Sequence, residues 1–202
     1  MGAVDADRHR EKMRKRKVVQ DREVATKTIE KGLLIVNTGK GKGKSTAAFG
    51  LILRALGHGW RIGVVQFIKG AWKTGERRVL EERFADLVSW HSMGEGFTWE
   101  TQDRARDVVA AEAAWARAQA LMADDRIRLV VLDELNIALR YDYLPVDEVV
   151  ETLVKRRTDL HVVVTGRNAP PIFIEAADLV TEMNPTKHHF AAGVKAQAGI
   201  EF

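Results

Sequence analysis

A chain of 202 residues without cysteine can form no disulfide, no zinc–thiolate site and no cysteine nucleophile. It suits one α/β domain with a sizeable core; no apolar stretch reaches the ~20 residues of a membrane span, and nothing near Met1 resembles a secretory signal, so a cytoplasmic protein is expected. The formal net charge of +4 is local: residues 1–31 hold ten basic and six acidic side chains, and the remainder is balanced.

That amino-terminal arm is densest in charge at Arg14-Lys15-Arg16-Lys17. Such a stretch could bind nucleic acid or an anionic surface, but it carries no aromatic residue on which a base could stack. A solvated extension, partly helical or disordered, is the preferred reading. A third reading has the arm ordering over a polyanionic ligand, in its own subunit or a neighbour. Residues 1–31 are therefore separated from a single domain over 32–202.

The domain opens on Leu33–Val36, an apolar run that predicts a buried strand. Directly after it comes Thr38-Gly39-Lys40-Gly41-Lys42-Gly43-Lys44-Ser45-Thr46. Alternate glycines let a backbone close around an anion, and its N–H groups then meet the positive end of the following helix. Lys44 is placed to reach outer phosphates and Ser45 to complete the shell of a magnesium ion. Thr38 stands where the general motif has glycine. A flexible linker would need no strand before it and no amphipathic helix after it. Here Ala47, Ala48, Leu51, Ile52, Ala55 and Leu56 form one helical face over Lys44–Leu56.

Further strands are predicted at Ile62–Ile68, Leu87–Trp90, Leu129–Leu132, His161–Val164 and Leu179–Val180. Helices are predicted over Glu76–Arg83, about Thr101–Met122, Pro145–Arg156 and Pro171–Ala176. Short Val/Ile/Leu runs alternating with helices predict an α/β fold, a mostly parallel sheet covered on both faces. Its ligands bind beyond the carboxyl ends of the strands. The phosphate loop, Gln66–Gly70, Asp133-Glu134 and Thr165-Gly166-Arg167 all fall there, which predicts one site built from several loops.

Asp133-Glu134 ends the strand Leu129–Leu132. An acidic residue in that place holds magnesium directly or through water in phosphate-loop proteins, or the pair caps the next helix. With the loop upstream, metal binding is favoured; spacing does not say which carboxylate makes the contact. The segment Gly94-Glu95-Gly96-Phe97-Thr98-Trp99-Glu100 sets two alternating aromatics after two glycines. The aromatics either pin the loop to the core or offer a wedge to a flat hydrophobic ligand. Adjacent His188 and His189, if in a strand, face opposite ways, which favours a solvated or hydrogen-bonded pair over a metal site.

Six blocks in one order carry a resemblance that covers almost everything from Gly32 to Phe202. They are Thr38–Gly50, Val65–Gly70, Gly96–Thr101, Leu132–Asn136, Thr165–Asn168 and Gly193–Phe202. The chain resembles the cobalamin (corrinoid) adenosyltransferases of the phosphate-loop type, the bacterial cob(I)yrinic acid a,c-diamide adenosyltransferase family. Threonine at the head of the loop is similar to that family's usage. Ala191 stands where some relatives carry an acid.

The resemblance implies a phosphate-loop NTPase-like (RecA-like) fold. It also implies transfer of the 5′-deoxyadenosyl group of ATP to cob(I)alamin or a related corrinoid, with triphosphate leaving. It assigns phosphate contact to Thr38, Gly39, Lys40, Gly41, Lys42, Gly43, Lys44, Ser45 and Thr46. Magnesium contact falls to Ser45 and Glu134, with Asp133 beside them. Lys44 acts on the departing triphosphate, while Phe97 and Trp99 occupy the corrin's lower face and expel its nitrogen ligand. A flavoprotein reductant and a homodimer are implied as partners, with the arm covering the site. Two other readings stay open on the residues alone: an ATPase or small-molecule kinase of the same fold, and a nucleotide-dependent nucleic-acid binder.

Overall fold

The computed structural model describes residues 3–67, 74–93 and 103–201. The chain forms two compact units, Met1–Lys31 and Gly32–Phe202. The first contains one helix, α1 (Ala3–Ala25). Its side chains from residue 7 onward are exposed, and ion pairs one turn apart, Arg10–Asp7, Lys15–Glu11 and Lys17–Asp21, run along it. Such pairs add only a few tenths of a kcal/mol each, which suits a solvated helix.

The second unit runs β1 (Leu34–Thr38), α2 (Lys44–Leu56), β2 (Arg61–Gln66), α3 (Gly75–Arg83), β3 (Val88–Ser92) and α4 (Arg104–Ala123). It continues with β4 (Ile127–Asp133), α5 (Leu135–Arg140), α6 (Val146–Val154), β5 (His161–Thr165), α7 (Pro171–Ala176) and β6 (Leu179–Glu182). The six strands form one sheet in the order β3-β2-β4-β5-β1-β6, and every pairing is parallel. This is the parallel α/β sheet expected from the alternating pattern, in the phosphate-loop NTPase-like architecture that the resemblance implies.

Strand periodicity divides the core. Leu34 and Val36 of β1, with Val130 and Leu132 of β4, face the side covered by α4 to α7. Ile35, Leu129 and Val131 face the side covered by α2 and α3. Both faces are buried, so the strands read as continuous apolar runs rather than alternating ones. On α4 the buried stripe runs from Ala111, Ala114 and Ala118, small enough for that part of the helix to lie close on the sheet, to Leu121 and Met122. Side chains cap the starts of two helices: Thr74 Oγ1 accepts from the Arg77 N–H (3.4 Å), and Asp103 Oδ1 from the Arg106 N–H (3.2 Å).

The expected elements are all present with shifted ends. β4 extends through Asp133 and β6 through Glu182, while β2 closes at Gln66; the expected Ile68 lies outside the described residues. Among the described residues, one helix escaped the sequence reading. α5 is six residues long, too short for an amphipathic period, and follows directly on the acidic pair.

At the opposite rim of the sheet from the phosphate loop, His161 Nδ1 accepts the Leu33 N–H (3.2 Å), and the ring stacks on Trp60 with centroids 5.3 Å apart. Arg128 lies 5.3 Å over the same Trp60 ring. Burial, then Arg128 and Arg156, hold the His161 pKa below its ordinary value. Burial and Arg117 do the same to His91. The unfolded chain therefore takes up these protons at higher pH than the folded one. The stability they contribute is complete above about pH 6.5 and is lost as pH falls through the folded-state values. Urea melts between pH 7.5 and 5 should show declining stability, and His161→Asn, which retains an acceptor, should flatten part of that slope. An unchanged slope in the variant would refute the assignment.

Candidate functional site

The phosphate loop joins β1 to α2, and its shape follows from where the glycines stand. Gly39 has φ 95°, and a Cβ there would lie 2.5 Å from the Met183 carbonyl oxygen; both facts demand glycine. Gly43 occupies the N-cap of α2 at φ 104°, so no side chain covers the start of that helix. The first N–H groups of any α-helix lack intrahelical acceptors, and they confer positive character on this end. The loop is fixed from the β6 side: the Gly41 N–H donates to the Met183 carbonyl (2.6 Å), and the Met183 N–H to the Thr38 carbonyl (2.9 Å).

Thr38 finds its explanation here. It lies in the extended backbone of β1, so glycine is not needed, and its hydroxyl oxygen accepts the Ala169 N–H at 3.0 Å. The threonine thereby ties the loop after β5 to the base of the phosphate loop, a bond that glycine cannot make. Lys44 is buried at 8 % exposure, with its ammonium donating to the carbonyls of Gly39 (2.9 Å) and Gly41 (2.5 Å). Lys40 and Lys42 are exposed, as is Thr46, while Ser45 is half-buried. The Lys42 ammonium pairs with Glu201.

A buried carboxylate organises the opposite wall. Asp133, wholly shielded from solvent at the end of β4, accepts three hydrogen bonds. Ser45 Oγ and Thr165 Oγ1 each donate to Oδ1 at 2.7 Å, and Gln66 Nε2 donates to Oδ2 at 2.9 Å. The network continues outward, since Gln66 Oε1 accepts from Ser92 Oγ (2.8 Å) and Trp90 Nε1 (3.2 Å). Thr165 also accepts the Glu134 N–H at 3.0 Å. Glu134 is half-buried and takes a left-handed backbone (φ 63°), uncommon for a side chain other than glycine, asparagine or aspartate. The carboxyl ends of β3, β2, β4 and β5 are thus bonded to one another and to the first turn of α2.

Of the residues expected at the site, the loop Thr38–Thr46 and Asp133-Glu134 converge at one end of the sheet. Phe97 and Trp99 lie outside the described residues, as do Lys69 and Gly70. Gln66 and Thr165 were expected at this end of the sheet but without a role; a polar residue closing an apolar strand, level with Asp133, was the available signal for one. The histidine pair departs from expectation. His188 and His189 do not lie in a strand but at the start of a 3₁₀ turn, and their rings stack at 4.9 Å instead of facing apart. The hydrogen bonding expected of them holds: His188 Nδ1 accepts the Phe190 N–H at 3.1 Å.

Among the described residues, no three His, Cys, Asp or Glu side chains cluster closely enough to hold a metal by themselves. Magnesium, however, commonly takes one or two protein oxygens and completes its shell from substrate phosphates and water. A half-buried serine hydroxyl beside a fixed carboxylate, with Glu134 next along the chain, fits that need. No helix among the described residues is long and apolar enough to cross a membrane.

Residues 30–202 match the family model described as ATP:corrinoid adenosyltransferase BtuR/CobO/CobP, and residues 1–24 match one described as Cob(I)alamin adenosyltransferase N terminal. A corrinoid adenosyltransferase of Sinorhizobium is 58% identical over 199 residues, which cover 98% of this chain and 93% of that protein. One from Pseudomonas aeruginosa is 58% identical over 195 residues, 96% of each chain. One from Escherichia coli K12 is 46% identical over 196 residues, 97% of this chain and 98% of that one. A phosphate loop with threonine at its head, joined to a buried carboxylate at the sheet's carboxyl edge, is thus the scaffold of a chain that belongs to the ATP:corrinoid adenosyltransferase family.

Proposed function

We propose that this enzyme moves the 5′-deoxyadenosyl group of ATP onto the cobalt of a cob(I)alamin or a cob(I)alamin precursor, in adenosylcobalamin biosynthesis or salvage. The observation that carries the proposal is the placement of Lys44 on the Gly39 and Gly41 carbonyls and of Ser45 against Asp133, in a chain that belongs to this family. In the transfer, the electron pair of cobalt(I) forms a bond to the ribose 5′ carbon. The bond from that carbon to oxygen breaks, and its pair leaves with triphosphate. No side chain is needed as nucleophile. The protein's work is alignment of the two substrates and stabilisation of charge on the leaving group.

The loop Thr38–Thr46 holds the phosphates, and Lys44 exchanges its two carbonyl partners for phosphate oxygens. Ser45 and Glu134 would hold a magnesium ion, which would supply positive charge against the triphosphate. Asp133, bonded to Ser45, Thr165 and Gln66, orients the serine and stays behind it. Phe97 and Trp99 serve as the apolar wedge at the corrin's lower face: side chains without donor atoms exclude the nitrogen ligand and so make cobalt easier to reduce. The family resemblance supports a flavoprotein as electron donor and a homodimer, and a chain without cysteine suits a cytoplasmic location.

Three outcomes test these assignments. Protein, magnesium, ATP and cobalt(I) corrinoid mixed anaerobically should give a light-sensitive alkylcobalt spectrum with triphosphate as co-product; ADP would mean phosphoryl transfer, as in a kinase or ATPase. Lys44→Ala should reduce turnover by at least about 100-fold, the scale of losing a charge-stabilising group, and near-normal turnover would sink its role. Trp99→Ala should impair reaction from cob(II)alamin far more than from chemically prereduced corrinoid. Equal losses in both assays would remove the wedge.

A further inference from the structure

The block Gly193–Phe202 stands out in the sequence, yet nothing in adenosyl transfer obviously requires it. The structure gives its end a contact. After the 3₁₀ turn His189–Ala192, Gly193 reverses the chain at φ 80°, and the Val194 N–H donates to the His189 carbonyl (3.1 Å). A second turn closes where the Glu201 N–H meets the Gln197 carbonyl at 2.8 Å. This delivers the Glu201 carboxylate to the phosphate loop, where Oε2 accepts from the Lys42 ammonium. Its other oxygen, Oε1, lies 3.1 Å from His189 Nε2. The Glu201 side chain is 13% exposed and that of Lys42 50%, so the carboxylate is the more enclosed partner and the lysine the one open to an incoming ligand.

We infer that Glu201 is a positioning residue that sets the loop's grip on triphosphate by competing for Lys42. The inference rests on the reading that the loop holds triphosphate. Lys44 and Lys42 both have internal partners, but of different kinds. Lys44 gives up two neutral carbonyls when phosphate arrives, whereas Lys42 must leave a full negative charge. A carboxylate at the loop's rim also repels the incoming polyanion. Both effects weaken binding of a ligand with several negative charges. After transfer, free triphosphate remains on the loop, and a residue that reclaims Lys42 assists its departure. The closing segment therefore matches the loop to a product that must leave, not merely to a substrate that must bind.

Calorimetric titration of inorganic triphosphate with magnesium into the full chain tests this. Glu201→Gln should bind about 2- to 5-fold tighter, the range for releasing a partly exposed ion pair. Glu201→Asp, with its carboxylate drawn back by one methylene, should fall between. In a Lys42→Ala background the gain from Glu201→Gln should shrink to less than half. Unchanged or weaker binding by Glu201→Gln overturns the inference. So does an equal gain with and without Lys42, which would mean that the residue acts through packing or long-range charge. Failure of every form, the unsubstituted chain included, to bind triphosphate overturns the phosphate-site reading itself.

Discussion

One buried carboxylate governs this molecule's functional edge. Asp133 sits without solvent access at the end of a strand whose remaining residues are apolar, and an ionised group there is tolerable only when its oxygens are satisfied. Three donors from three elements satisfy it, and short bonds to a charged acceptor are about twice as strong as neutral ones. The cost of leaving such a group unpaired is what locks the register of β2, β4 and β5 to the first turn of α2. The same requirement fixes the Ser45 end of the phosphate loop against Asp133 and holds Glu134 in its left-handed turn through Thr165.

The loop itself is held by a different kind of interaction. Backbone bonds to Met183 and the Thr38–Ala169 bond clamp it between the segments that follow β6 and β5. A clamped loop loses little entropy when it takes up an anion, and preorganisation is the condition under which electrostatic stabilisation of a leaving group is most effective. The lysines are the adaptable part. Lys44 rests on loop carbonyls and Lys42 on Glu201, so each has a partner to exchange. Rigid backbone and exchangeable cations suit an enzyme that must both bind a triphosphate and release one.

Much of the fold could be read from residue order because the local signals were unambiguous. Runs such as Leu129–Leu132 and His161–Val164 could hardly be anything but buried strands, since both faces of the sheet are covered. The glycine spacing and Lys44-Ser45 placed the loop at the end of the first strand for reasons of backbone geometry alone. Where signals were weak the reading thinned. The six residues of α5 carry no period, and the histidine pair adopts a 3₁₀ turn that two adjacent side chains cannot announce.

The sequence by itself determined the chemistry on offer: a glycine–lysine loop between a strand and a helix, an acidic pair after an apolar strand, and no thiol. These depend on residue type and on neighbours a few positions away. Only the tertiary structure decided which groups meet. Gln66, Asp133 and Thr165 are 67 and 32 residues apart in the chain, and Lys42 and Glu201 are 159 apart. Such pairs are brought together by strand order and by the return of the closing segment. Both follow from burying the whole sheet at once, which no local stretch of the chain encodes.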